Sequence, residues 1–311
     1  MMAENMKRDW TALDIPSQKG VSVVITGTGG IGYETALEMT RAGAEVIMAG
    51  RNKDKGEEAI KKINKLIPAG NIRFEKLDLA DLESVTAFGE RMRAQRKSLD
   101  ILINNAAIMN PPQRRVTKDG FELQMGTNYL GHFALTGQLL SLLLKANKPR
   151  VVTLSSIAHR SGVIHFDDLQ SEHQYKPMAA YAQSKLACLM FSLELQRRSD
   201  AAGWGICSMA AHPGISRTEL IPNGSGKNSP AGIVRRVFGP ILFQPAAHGA
   251  WPSLYAATAK EATKGTYYGP SRMNEMRGYP TVAKIAPQAT DVKGASKLWE
   301  ESERLTQVKF V

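Results

Sequence analysis

The chain has only two cysteines, Cys188 and Cys207, in 311 residues. Two cannot build a disulfide framework or a cysteine-rich zinc site, and a reducing cytoplasm is the expected setting. No apolar run approaches the ~18 residues of a membrane helix; the richest, Leu139 to Leu144, is far shorter. The opening MMAENMKRDW has basic residues without an apolar core behind them, so no secretory signal is expected. Acidic residues are also in deficit, 29 against 40 Lys and Arg, for a net charge of +11. Such a balance attracts phosphates, whether in nucleic acid, an anionic membrane or a phosphorylated cofactor. Yet basic runs stop at two residues, as in Lys61-Lys62, Arg114-Arg115 and Arg235-Arg236. With no zinc-finger spacing and no aromatic RNA-binding signature, nucleic acid is not an expected partner.

The apolar share of 43% with 22% charged residues suits a globular chain, and the length suits one large α/β domain over residues 1–311. Strand and helix signals alternate. Strands are expected at Val21–Thr26, Glu45–Ala49, Ile72–Leu77, Asp100–Asn104, Arg150–Leu154 and Gly205–Ala210. Helices are expected at Ile31–Ala42, Lys53–Leu66, Asp81–Arg96, within Lys118–Leu144, and at Ala180–Gln196. The alternation predicts a Rossmann-type, doubly wound parallel sheet of about seven strands with helices on both faces. Residues 221–244 differ: a Pro222-Asn-Gly-Ser-Gly226 stretch precedes an apolar patch including Ile233, Val237, Phe238 and Leu242, the pattern of a substrate lid, with ordinary packing onto the domain and a membrane-surface helix carrying Arg235 and Arg236 as the alternatives. Residues 266–311 read as a C-terminal extension.

After the first strand stands Thr26-Gly-Thr-Gly-Gly-Ile-Gly32. Glycines between a strand and a helix permit a tight turn and bring a pyrophosphate against free backbone N–H groups. Gly27, Gly29 and Gly32 fit the general dinucleotide fingerprint, with Gly30 and Ile31 between them. The second strand runs into Gly50-Arg51-Asn52-Lys53, where an acidic residue would grip the two ribose hydroxyls of NAD. Arg51 matches a 2′-phosphate instead, so NADP(H) is the expected cofactor and NAD(H) the less expected one. Asp78, with Leu79 after it, closes the third strand, where a carboxylate accepts from an adenine amino group. Asn104-Asn105-Ala106-Ala107 closes the fourth and leaves room beside the cofactor.

Tyr181 and Lys185 lie at i and i+4 on one face of an expected helix. Tyrosine titrates near 10, too high for efficient proton transfer at neutrality, and a neighbouring ammonium favours its phenolate. Ser155-Ser156 ends the strand before them, where a hydroxyl can hold a substrate oxygen.

Taken together, the Thr-Gly…Gly-Ile-Gly turn, Asn104-Asn-Ala-Ala107, Ser155-Ser156 and Tyr181-x-x-x-Lys185 resemble the short-chain dehydrogenase/reductase family over Val21 to about Thr218. Asn128-Tyr-Leu-Gly-His-Phe133, Phe166-Asp-Asp-Leu169 and His212-Pro-Gly-Ile-Ser-Arg-Thr218 resemble its retinol-dehydrogenase-like branch. Tyr267-Tyr-Gly-Pro270, Met276-Arg-Gly-Tyr-Pro280 and Leu298-Trp-Glu300 resemble bacterial members of that branch. The resemblance implies Tyr181 as acid in carbonyl reduction and base in alcohol oxidation, with Lys185 stabilising the phenolate and binding the nicotinamide ribose. It implies Ser156 orienting the carbonyl, Asn128 holding a relay water, and Pro213, Gly214 and Thr218 flanking the nicotinamide. The cofactor supplies the hydride.

Three departures accompany the resemblance. The glycine turn is one residue shorter than the family's, Ala107 replaces a glycine, and the apolar N-terminal anchor common in the branch is not seen. A soluble cytoplasmic enzyme is therefore expected, with retinol itself disfavoured. The expected activity is NADP(H)-dependent interconversion of a hydrophobic ketone or aldehyde and its alcohol. The rivals are an NAD-linked member of the family and a non-catalytic NADP(H) sensor or scaffold. His132, His159, His165 and His173 lack metal-ligand spacing and are expected in structural or surface roles.

Overall fold

A computed structural model describes residues 9–216 and 244–310. Its centre is one eight-stranded sheet: β1 Ser22–Thr26, β2 Glu45–Gly50, β3 Ile72–Lys76, β4 Ile101–Asn104, β5 Arg150–Leu154, β6 Cys207–Ala211, β7 Tyr267–Arg272 and β8 Arg277–Val282. The spatial order is β3-β2-β1-β4-β5-β6-β7-β8. Every pairing is parallel except the last, β7 with β8. The doubly wound sheet is as the alternation predicts, with an antiparallel edge strand added. Of the expected lid, residues 221–243 lie outside the described residues.

Each strand sends successive side chains to opposite faces. Val24, Leu102, Val151, Ala210 and Tyr267 enter one core, while Val23, Ile25, Ile103, Val152, Met209 and Tyr268 enter the other. The second core is covered by α1 Gly30–Arg41, α2 Lys53–Leu66 and a helix at Ala246–Thr258. The first is covered by α3 Leu82–Gln95, α4 Gly131–Leu143, α5 Pro177–Ala202 and a C-terminal helix; the two late helices are α6 (Ala246–Thr258) and α7 (Val292–Thr306).

Helix bounds follow local chemistry. Asn52 caps α2 by accepting from Lys55 N–H at 2.9 Å, and Asp81 caps α3 by accepting from the N–H groups of Glu83 and Ser84. Helix α5 is longer than its pattern predicts. It starts with Pro177 in the first turn, stops at Gly203 in the left-handed conformation (φ 68°), and is buried without a break from Ala180 to Ser192. Burial all round erases the periodicity that would mark its ends. Ahead of α4, Met125–Leu130 forms one wider π turn within the expected helix.

Helix α7 lies over α4 and α5 through an aromatic cluster. Trp299 meets Phe133 (centroids 5.1 Å), Phe191 (5.7 Å) and Phe310 (4.5 Å), and Trp299 is 1% exposed. Trp299→Ala should therefore cost about 3–5 kcal/mol, read as a lower urea midpoint with an unchanged m value. A midpoint equal to wild type would show that α7 is not part of the cooperative core.

Candidate active site

The parallel register brings the carboxyl ends of the strands into one row. Thr26 stands opposite Ala49, Ile25 opposite Ile103, Asn104 opposite Thr153, and Leu154 opposite Ala211. Between β1 and β4 the order reverses, which is where ligands bind in open α/β sheets. The glycine turn begins at this point. Gly27 and Gly30 have positive φ (94° and 53°), and a Cβ on Gly32 would sit 2.6 Å from the Gly27 carbonyl oxygen. Such a turn admits no side chain there. A Cβ on Gly29 would meet nothing within 4 Å, and no side chain caps the start of α1. Gly32 N–H turns back to the Gly29 carbonyl at 3.1 Å, which leaves the N–H groups of Gly30 and Ile31 without a partner among the described residues, a cradle fitting a pyrophosphate.

Thr26 locks this turn to β4. Its hydroxyl accepts from Asn105 N–H and Ala106 N–H, both at 2.9 Å, while its carbonyl accepts from the Asn105 amide at 2.7 Å. The same hydroxyl lies 2.8 Å from His132 Nε2. His132 Nδ1 lies 2.8 Å from the Asn128 carbonyl, which can only accept, so Nδ1 carries the proton and Thr26 donates to Nε2. Burial pushes the His132 pKa down to about 4, keeping the ring neutral as this arrangement needs. Sequence reasoning missed Thr26 and gave His132 only a general structural role.

The other expected cofactor residues line the same edge. Arg51 is exposed just beyond β2, next to Gly50, where a Cβ would come 2.9 Å from Thr28. The Asn52 side chain is engaged as the α2 cap. Asp78 Oδ1 accepts from Ala80 N–H at 3.0 Å, and Leu79 packs under Gly131, whose Cβ would approach its carbonyl to 2.4 Å. Thr218 falls outside the described residues.

Tyr181 and Lys185 project from α5, both at least nine-tenths buried. Lys185 Nζ is 6.0 Å from the Tyr181 ring centroid and donates to the Leu154 carbonyl at 2.9 Å, its one protein acceptor among the described residues. Leu154 ends β5, so the ammonium is anchored beside the serines. Ser155 is turned inward, donating to the Lys185 carbonyl at 2.7 Å. Ser156 is partly exposed and opens the 3₁₀ turn Ile157–Ser161, accepting from Ala158 N–H at 3.2 Å. Asn128 lies in the π turn. Its amide pairs with both backbone groups of Ile108 (2.8 and 3.0 Å) and with Ser184, and its carbonyl also receives the Cys188 thiol at 3.2 Å. Pro213 and Gly214 follow β6, Gly214 at φ 63°. The structure thus brings Asn128, Ser156, Tyr181 and Lys185 to the rim that holds the glycine turn. His159 and His212 are buried nearby, whereas His165 and His173 are exposed.

This geometry and the comparisons with known proteins agree: residues 21–227 match the short chain dehydrogenase family model, and the chain belongs to that family of oxidoreductases. It is 40% identical to mouse retinol dehydrogenase 13 over 291 residues, 92% of this chain and 84% of that one. It is 39% identical to zebrafish polyprenol dehydrogenase over 303 residues, 95% of this chain and 90% of that one. The crystal structure of a protein from Mycobacterium paratuberculosis matches with a TM-score of 0.81 and 41% identity, covering 98% of this chain and all of that one. Among the described residues, no helix is long and apolar enough to cross a membrane.

Burial lowers the pKa of His159 and His212 as well as that of His132. Each folded value lies below the unfolded one of about 6.5, so the unfolded chain binds more protons once the pH drops below that. Stability should accordingly decline from pH 6.5 toward 4, by up to about 1.4 kcal/mol per pH unit for each such proton. Urea midpoints at pH 7.5 and 5.5 check this, and a midpoint no lower at pH 5.5 would contradict it.

Proposed function

We propose that the protein is an NADP(H)-dependent reductase of short-chain type that interconverts a hydrophobic ketone or aldehyde and its alcohol. The observation that carries the reading is the placement of Lys185 Nζ 6.0 Å from the Tyr181 ring, on an ammonium anchored to the last residue of the strand that delivers Ser156. The relatives named for retinol and polyprenol support an apolar alcohol as substrate class. Solved relatives in complex with NADP share the fold at a TM-score of 0.64, which supports a nicotinamide dinucleotide across the switch point.

The residues fit that group. The cradle at Gly29–Gly32 would hold the pyrophosphate, Asp78 and Leu79 the adenine end, and Asn105 and Ala106 the ribose. The exposed Arg51 would hold the 2′-phosphate, for which its forked guanidinium is matched. Pro213 and Gly214, which follow β6, would border the nicotinamide. When bound, the dinucleotide supplies or accepts the hydride.

Tyr181 protonates the carbonyl oxygen during reduction and takes the proton back during oxidation. Lys185 stabilises its phenolate, and the buried ammonium has donors to spare for a ribose. Ser156 holds the substrate oxygen; Ser155, committed to the Lys185 carbonyl, does not compete for it. Asn128 receives the relay water at its carbonyl, where the Cys188 thiol is the weak donor that gives way. The aligned groups convert an encounter into a fixed geometry, and fixed geometry carries much of the rate.

Loss of NADPH absorbance with a panel of aromatic ketones, alicyclic ketones and all-trans-retinal tests the activity. Tyr181→Phe should lower kcat by about a thousandfold while leaving NADPH binding near wild type. Tight NADPH binding by wild type with no turnover across the panel would instead make the protein a cofactor sensor. Arg51→Ala should weaken NADPH more than NADH, by about tenfold; equal losses would remove the phosphate contact.

A further inference from the structure

We propose that Glu275 is a positioning residue, a buried carboxylate that sets the turn bearing Ser156 against the loop bearing Pro213 and Gly214. The inference rests on the reading of Ser156 given under Proposed function. Glu275 lies in the hairpin between β7 and β8 and is 8% exposed. Its Oε2 accepts from Arg160 Nη2 at 2.6 Å and from His212 Nε2 at 3.2 Å, while Oε1 accepts from Lys284 N–H at 2.9 Å. Arg160 belongs to the 3₁₀ turn that Ser156 opens, and His212 opens the loop after β6. One side chain therefore ties together three segments far apart in the chain.

The proton positions are determined. His212 Nδ1 accepts from Gly214 N–H at 3.2 Å, which leaves the proton on Nε2, the atom facing Glu275. Burial holds His212 neutral in that tautomer. Burial also pushes the Glu275 carboxyl up, but the His212 and Lys284 hydrogen bonds and the Arg160 charge outweigh it, so the group stays a carboxylate.

The hairpin is built at a conformational cost to aim this group inward. Met273, Asn274 and Glu275 follow one another in the left-handed region, at φ 53°, 52° and 68°, and none is glycine. Such residues persist where surrounding contacts over-determine them. The approach leaves no slack. A Cβ on Gly269 would lie 1.9 Å from His212 Nε2, and one on Gly214 would lie 2.3 Å from the Met276 carbonyl. Ile215 N–H donates to that carbonyl at 2.9 Å.

On the serine side, His159 Nδ1 donates to the Ser156 carbonyl at 2.7 Å, and its Nε2 accepts from Ala286 N–H just after β8. The Gln288 amide donates to the carbonyls of Arg160 (3.0 Å) and Gly162 (3.1 Å). The chain after β6 thus grips the serine turn by its backbone, and Glu275 joins that grip to the loop beside the nicotinamide.

A double-mutant cycle separates positioning from bulk stability. With the panel carbonyl that wild type reduces fastest, Glu275→Gln should lower kcat about 10- to 100-fold, with NADPH affinity close to wild type. In a Ser156→Ala background the same substitution should cost little further, because the group it positions is gone. An equal factor in both backgrounds, or an unchanged kcat, overturns the proposal. Should Glu275→Gln fail to fold, Arg160→Gln cuts the link from the more exposed side, and its cycle with Ser156→Ala decides on the same terms. A Ser156→Ala enzyme as fast as wild type, or a panel that wild type leaves untouched, defeats the functional reading and this inference with it. Multiplying losses defeat the inference alone.

Discussion

Strands β1 and β4 lie side by side, but the chain leaves them in opposite directions, and the crevice between their ends exposes backbone that must be satisfied. One hydroxyl does this. Thr26 accepts two backbone N–H groups from the end of β4 and donates to the neutral His132. His132 in turn holds the Asn128 carbonyl in the π turn. Buried polar groups left unmet are costly, so this fully used hydroxyl fixes the glycine turn, the end of β4 and the start of α4 relative to each other. The glycine turn and the π turn that carries Asn128 are parts of one hydrogen-bonded unit.

From that unit outward, the site is closed by elements that come late in the chain. Tyr267 on β7 packs its ring 5.3 Å from His159 and 5.1 Å from His212, filling the space between the serine turn and the loop after β6. The extension at 266–311 thus supplies two strands to the main sheet and packing behind the turn that Ser156 opens.

How much of this was legible depends on the range of the signal. Helix α2 runs over Lys53–Leu66, the bounds its sequence predicts, because the signals that set them are local. The motif residues Ser156, Tyr181 and Lys185 were legible because fixed spacing and strand ends gave them away. Strands β7 and β8 were not read as strands. Pro270 and Pro280 stand opposite one another there, Gly269 and Gly278 flank them, and these residues mark turns in a sequence. Glu275 was invisible for a different reason. It lies 115 positions from Arg160 and 63 from His212, and an isolated acid in a turn has no local pattern to report such partners. Thr26 was hidden inside a motif whose glycines drew the attention.

The aromatic seal over α4 and α5 has a bearing on biosynthesis. From β4 to β8 the sheet grows outward in the order the ribosome makes it, so each new edge can dock on the one before. Phe133 and Phe191, however, meet Trp299 and Phe310 only after every strand has been translated. Until then the nascent polypeptide carries an uncovered greasy face, the kind of surface that chaperones grasp.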